Sequence, residues 1–240
     1  MKKNLDAYSE TLFHLINFRC RQFRESRSMI GIDYDSFLIC SAIGAHFLKH
    51  NTKDGDSWDA VWEATRTKKM HENYGDKKLT IFAVSNILEL PKETVRRKIK
   101  IIKEKKIIFE GKNREYFWHL NNEEREVDFM KIMKKDINMM SKFICGFTKY
   151  LDLNLTVKDV EEEIKSQFSF YMYHFLNCQL TWLKMWQTKL KDVDLMFIAI
   201  QALIPTIQYA EKNDEESKNL NLENLNKVIG KTDKKYQLSN

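Results

Sequence analysis

Glycine and proline are scarce in this sequence, with only 7 Gly and 2 Pro among 240 residues. Sandwiches and barrels built from many short strands need a turn after roughly every 8–12 residues, and these two residue types form many of those turns. Their scarcity argues against such folds. Hydrophobic residues make up 43% of the chain and recur at helical spacing over long runs. The pattern predicts a mainly α-helical protein with one small β element.

The cysteines and histidines lack the spacing of a functional site. The chain has no CxxC motif and no Cys/His pair at metal-ligand spacing. Each cysteine lies in an apolar helical pattern, so we expect buried, reduced thiols. The four are Cys20, Cys40, Cys145 and Cys178. His46 and His50 have an i,i+4 spacing, but no acid or cysteine stands beside them, so we expect neither a metal nor another cofactor.

Motifs of the common enzyme classes are also absent. The sequence contains no P-loop, no glycine pattern for dinucleotide binding, no nucleophile elbow and no pair of carboxylates at catalytic spacing. We therefore expect a protein that is not an enzyme.

No apolar run is suited to a membrane. The longest stretch without a charge, residues 166–183, contains Ser169, Asn177 and Gln179 and is too polar for lipid. The N-terminal residues MKKNLDAYSETLFH lack the apolar core of a signal peptide. We expect a cytoplasmic protein with no membrane partner.

Positive charge is concentrated in one segment. Residues 77–118 hold 12 Lys/Arg and 5 Asp/Glu, a net charge of +7, whereas residues 1–76 are neutral and residues 119–240 carry −1. A cationic excess confined to one short segment indicates a local surface for a polyanion. Nucleic acid is the partner that this distribution favours.

The same segment has the pattern of a helix followed by a tight turn. The helix begins at Thr80, and Glu89, Leu90 and Pro91 make the turn. The helical period places four apolar side chains toward the core. They are Ile81, Val84, Ile87 and Leu88.

A second helix, opened by Pro91, is predicted over residues 92–105. Its apolar residues Val95, Ile99 and Ile102 share one face by the 3.6-residue period. The opposite face carries the cations Arg96, Arg97 and Lys100. One face can pack while the other remains available to phosphate.

Two short strands are predicted next, over residues 107–110 and 115–118, joined around Gly111. The connection carries Lys112 and Arg114, residue types that reach a phosphate backbone or a minor groove. The pattern therefore predicts a basic β-hairpin beside the second helix.

The run AVSNILELPKETVRRKIKIIKEKKII resembles the winged helix-turn-helix of bacterial transcription regulators of the MarR/GntR type. The resemblance covers residues 77–118. The residues that carry the resemblance are Val84, Leu88, Leu90 and Pro91 around the turn, residues 94–97 in the second helix, and Ile107 and Ile108 before the hairpin. In such modules a glycine often occupies the left-handed position of the turn, where this chain has Glu89.

The resemblance implies double-stranded DNA binding, with the recognition helix 92–105 in the major groove and the wing 107–118 on the backbone or minor groove. It places Thr94, Arg96 and Arg97 near base edges and phosphates, with Lys100 in the same cluster. It assigns phosphate contacts to Lys92, Lys103, Lys112 and Arg114. The expected function is sequence-specific transcription regulation.

Three segments are expected: a helical segment with a linker over residues 1–76, the DNA-binding domain over 77–120, and a helical domain over 121–240. The flanking segments would form a helical scaffold. A faint repeat relates residues 13–48 to 173–207 and residues 79–90 to 220–231. The C-terminal segment is therefore interpreted either as a degenerate copy of the N-terminal half or as an unrelated set of amphipathic helices.

The run of aromatic and methionine residues between 168 and 186 favours a helix-bundle core, with a homodimer interface or an effector pocket as the other interpretations. The sequence does not identify a small effector.

Two other functions remain open. The first is a non-catalytic interaction or architectural module, whose basic face meets an acidic partner or DNA of any sequence. The second is binding of RNA or single strands, but residues 92–106 contain no aromatic side chains on which bases could stack.

Overall fold

The computed structural model describes residues 2–66, 79–111, 114–118, 126–148, 153–190, 195–196, 198–202 and 204. The helices with defined bounds are α1 (Lys2–Ile30), α2 (Tyr34–Asn51), α3 (Trp58–Arg66), α4 (Ile81–Leu88), α5 (Lys92–Glu104), α6 (Glu126–Thr148), α7 (Val157–Ser166) and α8 (Phe168–Leu190). The described residues after α8 are also helical. Strands β1 (Ile108–Glu110) and β2 (Tyr116–Trp118) form an antiparallel pair between α5 and α6. The protein is mainly helical with a small two-stranded sheet, which confirms the predicted class at this level. The proposed repeat partner 220–231 lies outside the described residues.

Helix α2 is the centre of the fold. Asp33 caps its first turn, because the Asp33 Oδ1 atom accepts a hydrogen bond from the Ser36 amide at 3.0 Å. Leu38, Ile39 and Ile43 are almost completely buried, since α2 packs against α8 on one side and against α4, α5 and β2 on another.

Helix α1 runs to Ile30. Gly31 ends it in a left-handed conformation, with φ at 69°, and the Gly31 amide donates to the Arg27 carbonyl at 3.0 Å. Helix α1 packs along α6 and also contacts α8, where the ring centroids of Phe18 and Phe175 lie 5.4 Å apart.

A chain of buried polar groups links α1 to α6. Arg19 Nη1 donates to Gln22 Oε1 at 2.8 Å, and Gln22 Nε2 donates to Asp136 Oδ2 at 2.8 Å. Burial raises the pKa of Asp136 to about 7, although the Gln22 hydrogen bond and the Arg19 charge act in the opposite direction. The sequence analysis did not anticipate this group.

The short helix α3 carries two indoles at an i,i+4 spacing. The rings of Trp58 and Trp62 stack with centroids 5.3 Å apart, and Trp58 meets the ring of Phe168 edge-on at 4.8 Å. The Trp58–Phe168 contact holds the segment after α2 against the start of α8.

Helix α8 contributes one face to the core. Met172, Leu176 and Leu183 are buried, whereas Phe170 and Met185 are exposed. Cys178 is exposed, so the prediction that every cysteine is buried is wrong for this residue, although the other three are buried. Apolar residues surround α8 on all sides in the sequence, and periodicity alone therefore does not indicate which side faces inward.

The hairpin is fixed to α2 through one tryptophan. Trp118 Nε1 donates to the Cys40 carbonyl at 2.8 Å, and the indole lies flat on Gly44. A Cβ atom at Gly44 would stand 1.8 Å from Trp118 Cζ2, so only glycine allows this approach. The hairpin and the helical scaffold therefore share a tightly packed junction.

No helix in the described part of the chain combines the length and the apolar character that crossing a membrane requires.

Candidate nucleic-acid interface

The connection between α4 and α5 is a tight turn with its polar groups satisfied. Thr80 Oγ1 accepts from the Ala83 amide at 3.3 Å and caps α4. Glu89 ends α4 in the left-handed region, with φ at 54°, so this chain places a glutamate in the conformation that glycine often adopts in related turns. The buried Ser85 hydroxyl donates to the Leu90 carbonyl at 2.7 Å and closes the turn.

Helix α4 buries a narrower face than the sequence pattern predicts. Val84 and Leu88 are buried and Ile81 is partly buried, but Ile87 is 43% exposed. The prediction for Ile87 is therefore wrong: successive residues of a helix are turned by about 100°, and the burial of Leu88 turns Ile87 outward. Phe82 is also exposed, and the Lys92 ammonium lies 4.5 Å from the centroid of its ring.

Helix α5 presents the two faces that its spacing predicts. Val95, Ile99 and Ile102 are buried in the same cluster as residues of α2 and α4. Arg96, Arg97 and Lys100 lie on the other side and are exposed. The helix ends at Glu104, one residue before the predicted end.

Acidic side chains accompany most of the cations of α5. Arg96 donates to Glu93 within the helix. Lys103 pairs with Glu110 of the hairpin. Lys100 Nζ lies 4.0 Å from Glu104 Oε1. Lys98 pairs with Asp33 at the start of α2. Arg97 makes no ion pair with any described residue.

The hairpin beside α5 is one residue shorter in each strand than predicted. Glu110 pairs with Tyr116 and Ile108 with Trp118 across the two strands. The Gly111 amide donates to the Glu115 carbonyl at 2.9 Å and closes the turn. Arg114 is exposed at this end of the hairpin, with φ at 60°.

A cleft of about 370 Å³ lies between α5 and the hairpin. Cationic side chains of α5 form one wall and the hairpin forms the other. The lining residues are Ile81, Arg96, Ile99, Lys100, Lys103, Glu104, Glu110 and Tyr116. Burial raises the pKa of Tyr116, and the nearby Glu110 acts in the same direction, so the phenol keeps its proton and remains a hydrogen-bond donor.

The structure brings together five of the residues that the sequence analysis assigned to DNA on one continuous surface. Lys92, Arg96, Arg97 and Lys100 are exposed along α5, and Arg114 is exposed at the hairpin. Thr94 and Lys103 are half-buried at the edges of this surface. Lys112 lies outside the described residues.

Sequence reasoning overlooked the acids of α5 and the aromatic groups beside them. Glu93 and Glu104 follow the same helical period as Arg97 and Lys100, so a helical wheel could have identified them. No sequence signal identified Tyr116 or Phe82 as neighbours of the basic face, because both contacts depend on tertiary packing.

His46 and His50 contact one another on α2, with ring centroids 4.5 Å apart. Within the described ranges, no group of three or more His, Cys, Asp or Glu side chains is placed to hold a metal ion. The pair gives no support for a metal centre.

Searches with protein-family models, among curated proteins and among solved structures find no match to this chain. The case for a function therefore depends on the physical properties of this surface alone.

Proposed function

We propose that residues 77–118 form a winged helix-turn-helix module that binds double-stranded DNA and that the protein regulates transcription. In this proposal α5 lies in the major groove, and the hairpin lies against the backbone or the minor groove. Helices on either side of the module act as its scaffold.

The observation that carries the proposal is the division of α5 into a buried apolar face and an exposed cationic face next to a hairpin. Val95, Ile99 and Ile102 fix the orientation of the helix, which leaves Arg96, Arg97 and Lys100 pointing away from the core. A rigid helix that projects arginines from one side can enter a groove without refolding. The net charge of +7 in residues 77–118 supplies the attraction to phosphate.

The exposed residues have different roles in this proposal. Arg97 has no ion pair to give up among the described residues, so it is the best placed to form a bidentate contact with guanine. Arg96 and Lys100 exchange exposed acidic partners, Glu93 and Glu104, for DNA groups. Such exposed pairs contribute only about 0–1 kcal/mol, so exchanging them costs little.

The remaining cations position the protein on the backbone. Lys92, Lys103, Lys112 and Arg114 are the proposed phosphate contacts, and Thr94 lies at the edge of the base-reading face. Lys103 pairs with Glu110 across the cleft, so a phosphate between α5 and the hairpin would compete with this carboxylate for the same ammonium.

The decisive experiment selects DNA from a random pool with the full chain, at several salt concentrations. The variant Arg96→Ala/Arg97→Ala should lose specific binding and keep its fold, because both side chains are exposed. The control Lys158→Ala/Lys165→Ala removes the same charge from exposed positions of α7 and should bind as the wild type does. Wild-type affinity for the selected sequence in the arginine variant would refute the proposal.

The same selection distinguishes the rival functions. Salt-sensitive binding without an enriched motif would indicate an architectural protein. Absence of binding would indicate a module whose basic face meets an acidic protein. An enriched inverted repeat with half-sites about 10 bp apart would indicate a dimer, and light scattering at micromolar concentration provides the independent check.

A further inference from the structure

The outermost row of α5 begins with an acid rather than a cation. Each residue turns the helix by about 100°, so the buried side at Val95, Ile99 and Ile102 determines which residues lie directly opposite. Those residues are Glu93, Arg97, Lys100 and Glu104. If α5 enters a groove, this row reaches farthest into it.

Glu93 stands at the N-terminal end of this row and is open to a ligand. Its side chain is 77% exposed. Arg96 Nη1 donates to Glu93 Oε2, and the other carboxylate oxygen accepts no hydrogen bond from any described residue. In the protein without DNA the arginine therefore orients the carboxylate, and one carboxylate oxygen keeps its acceptor capacity.

A carboxylate in this position is unfavourable for contact with phosphate, because the two charges repel. The major groove also offers amino groups that donate hydrogen bonds, and the N4 amino group of cytosine is the usual partner of Glu and Asp there. A carboxylate at the N-terminal end of α5 therefore weakens binding to DNA of any sequence. A hydrogen bond from the amino group of cytosine offsets this loss only where that base is present.

We propose that Glu93 is a specificity-determining residue that accepts a hydrogen bond from cytosine N4 in the major groove. The inference rests on the proposed DNA-binding function. It agrees with the general rule that residues near the N-terminus of a recognition helix contact base edges. Arg97 follows Glu93 by four residues, a rise of about 6 Å, which corresponds to about two base steps of 3.4 Å. The expected motif therefore has a cytosine and a guanine about two positions apart.

A purely structural role for Glu93 makes a different prediction. An acid in the first turn of a helix stabilises it through the helix dipole. In that role Glu93 would change the stability of the protein and would not change its preference for a base. Base preference is therefore the readout that separates the two roles.

The test compares DNA selected by the wild type, Glu93→Gln and Glu104→Gln, all in the full chain. Glutamine favours adenine, because its amide both donates to N7 and accepts from N6. Glu93→Gln should thus shift one motif position from cytosine toward adenine, with about a tenfold loss of discrimination for cytosine, and keep the guanine position. Glu104→Gln makes the same charge change at the other end of the row, and it should raise affinity for all sequences and leave the motif unchanged.

Each outcome has one meaning. If both variants raise affinity equally and neither alters the motif, or if the wild-type motif lacks the cytosine, the role of Glu93 is refuted while DNA binding stands. If the wild type enriches no sequence at all, the proposed function fails together with the inference. Thermal unfolding of Glu93→Gln provides the check that the variant is folded.

Discussion

Arginine and acid occur together in two regions of the molecule, with opposite consequences. On α5, Arg96 and Glu93 meet at the surface, where both side chains are largely exposed. Between α1 and α6, Arg19 and Asp136 are buried and joined through Gln22. Water screens the first pair, so its partners can be exchanged at little cost. The second pair is buried and affects the stability of the fold instead.

The two regions meet at the hairpin. Trp118 lies between the module and the scaffold, because its indole packs on Gly44 of α2 while its strand continues the surface beside α5. A change at this junction should affect both stability and the binding surface. Changes on either side of it should affect only one of them.

The largest effect is expected from Gly44→Ala. The new Cβ atom would lie 1.8 Å from Trp118 Cζ2, so the indole must leave its site and lose the hydrogen bond to the Cys40 carbonyl. Truncation of a buried aromatic side chain costs about 3–5 kcal/mol. Trp118 is half-buried, but the new Cβ atom also clashes with its ring, and such overpacking adds to the cost. We expect a decrease near the upper end of this range in the free energy of unfolding, measured with urea, together with weaker DNA binding.

The control for this substitution is Gly146→Ala in α6. The added Cβ atom would lie 3.3 Å from His14 Cδ2, which a small shift of the imidazole relieves, and alanine favours the helix. Its stability should stay within about 1 kcal/mol of the wild type. In a Trp118→Leu background, Gly44→Ala should lower the free energy of unfolding by much less than it does in the wild type. If the effects of the two substitutions are additive, the indole does not cause the loss of stability.

The next effect concerns the buried acid. Burial raises the pKa of Asp136 to about 7 from its ordinary value of 3.8, so the folded protein holds this proton more tightly than the unfolded chain does. Between about pH 4 and pH 7 the folded state keeps the proton that the unfolded state has lost, and stability falls as the pH rises through this window. Asp136→Asn removes the ionisation. The difference in the free energy of unfolding between the wild type and this variant should therefore change by up to about 4 kcal/mol between pH 4 and pH 7.

Urea unfolding of both proteins at several pH values measures this difference. Comparing them removes the contributions of other acids, such as Asp33, whose pKa is lowered in the folded state and whose pH dependence has the opposite sign. Parallel stability curves for wild type and Asp136→Asn would show that the carboxyl does not titrate in this range when the protein is folded.

The features predicted correctly from the sequence depend on local patterns. The two faces of α5 follow from apolar residues at helical spacing among charges. The burial of Asp136 had a signal that was not used: it stands four residues from both Ile132 and Met140, in the middle of an apolar stripe of α6. A polar residue in such a stripe faces the core together with its neighbours.

Other features depend on tertiary contacts that periodicity does not contain. Ile87 and Cys178 belong to helices with apolar residues on several sides, and only the packing of α4 and α8 shows which side is inward. The left-handed conformation of Glu89 does not follow from the residue preferences of glutamate, and only the resemblance to winged helix-turn-helix modules indicated it. The fit of Trp118 on Gly44 joins residues 74 positions apart and could not be read from either segment.

The smallest effect on stability is expected from Arg97→Ala, and this variant tests the comparison between the regions most directly. Arg97 is exposed and has no ion pair among the described residues, so removing its side chain should change the free energy of unfolding by no more than about 0.5 kcal/mol. Its affinity for the selected DNA should fall about tenfold or more, because one base-specific arginine contact is lost. A substantial loss of stability in this variant would mean that the exposed face of α5 takes part in folding, and the separation between a binding surface and a stabilising interior would no longer hold.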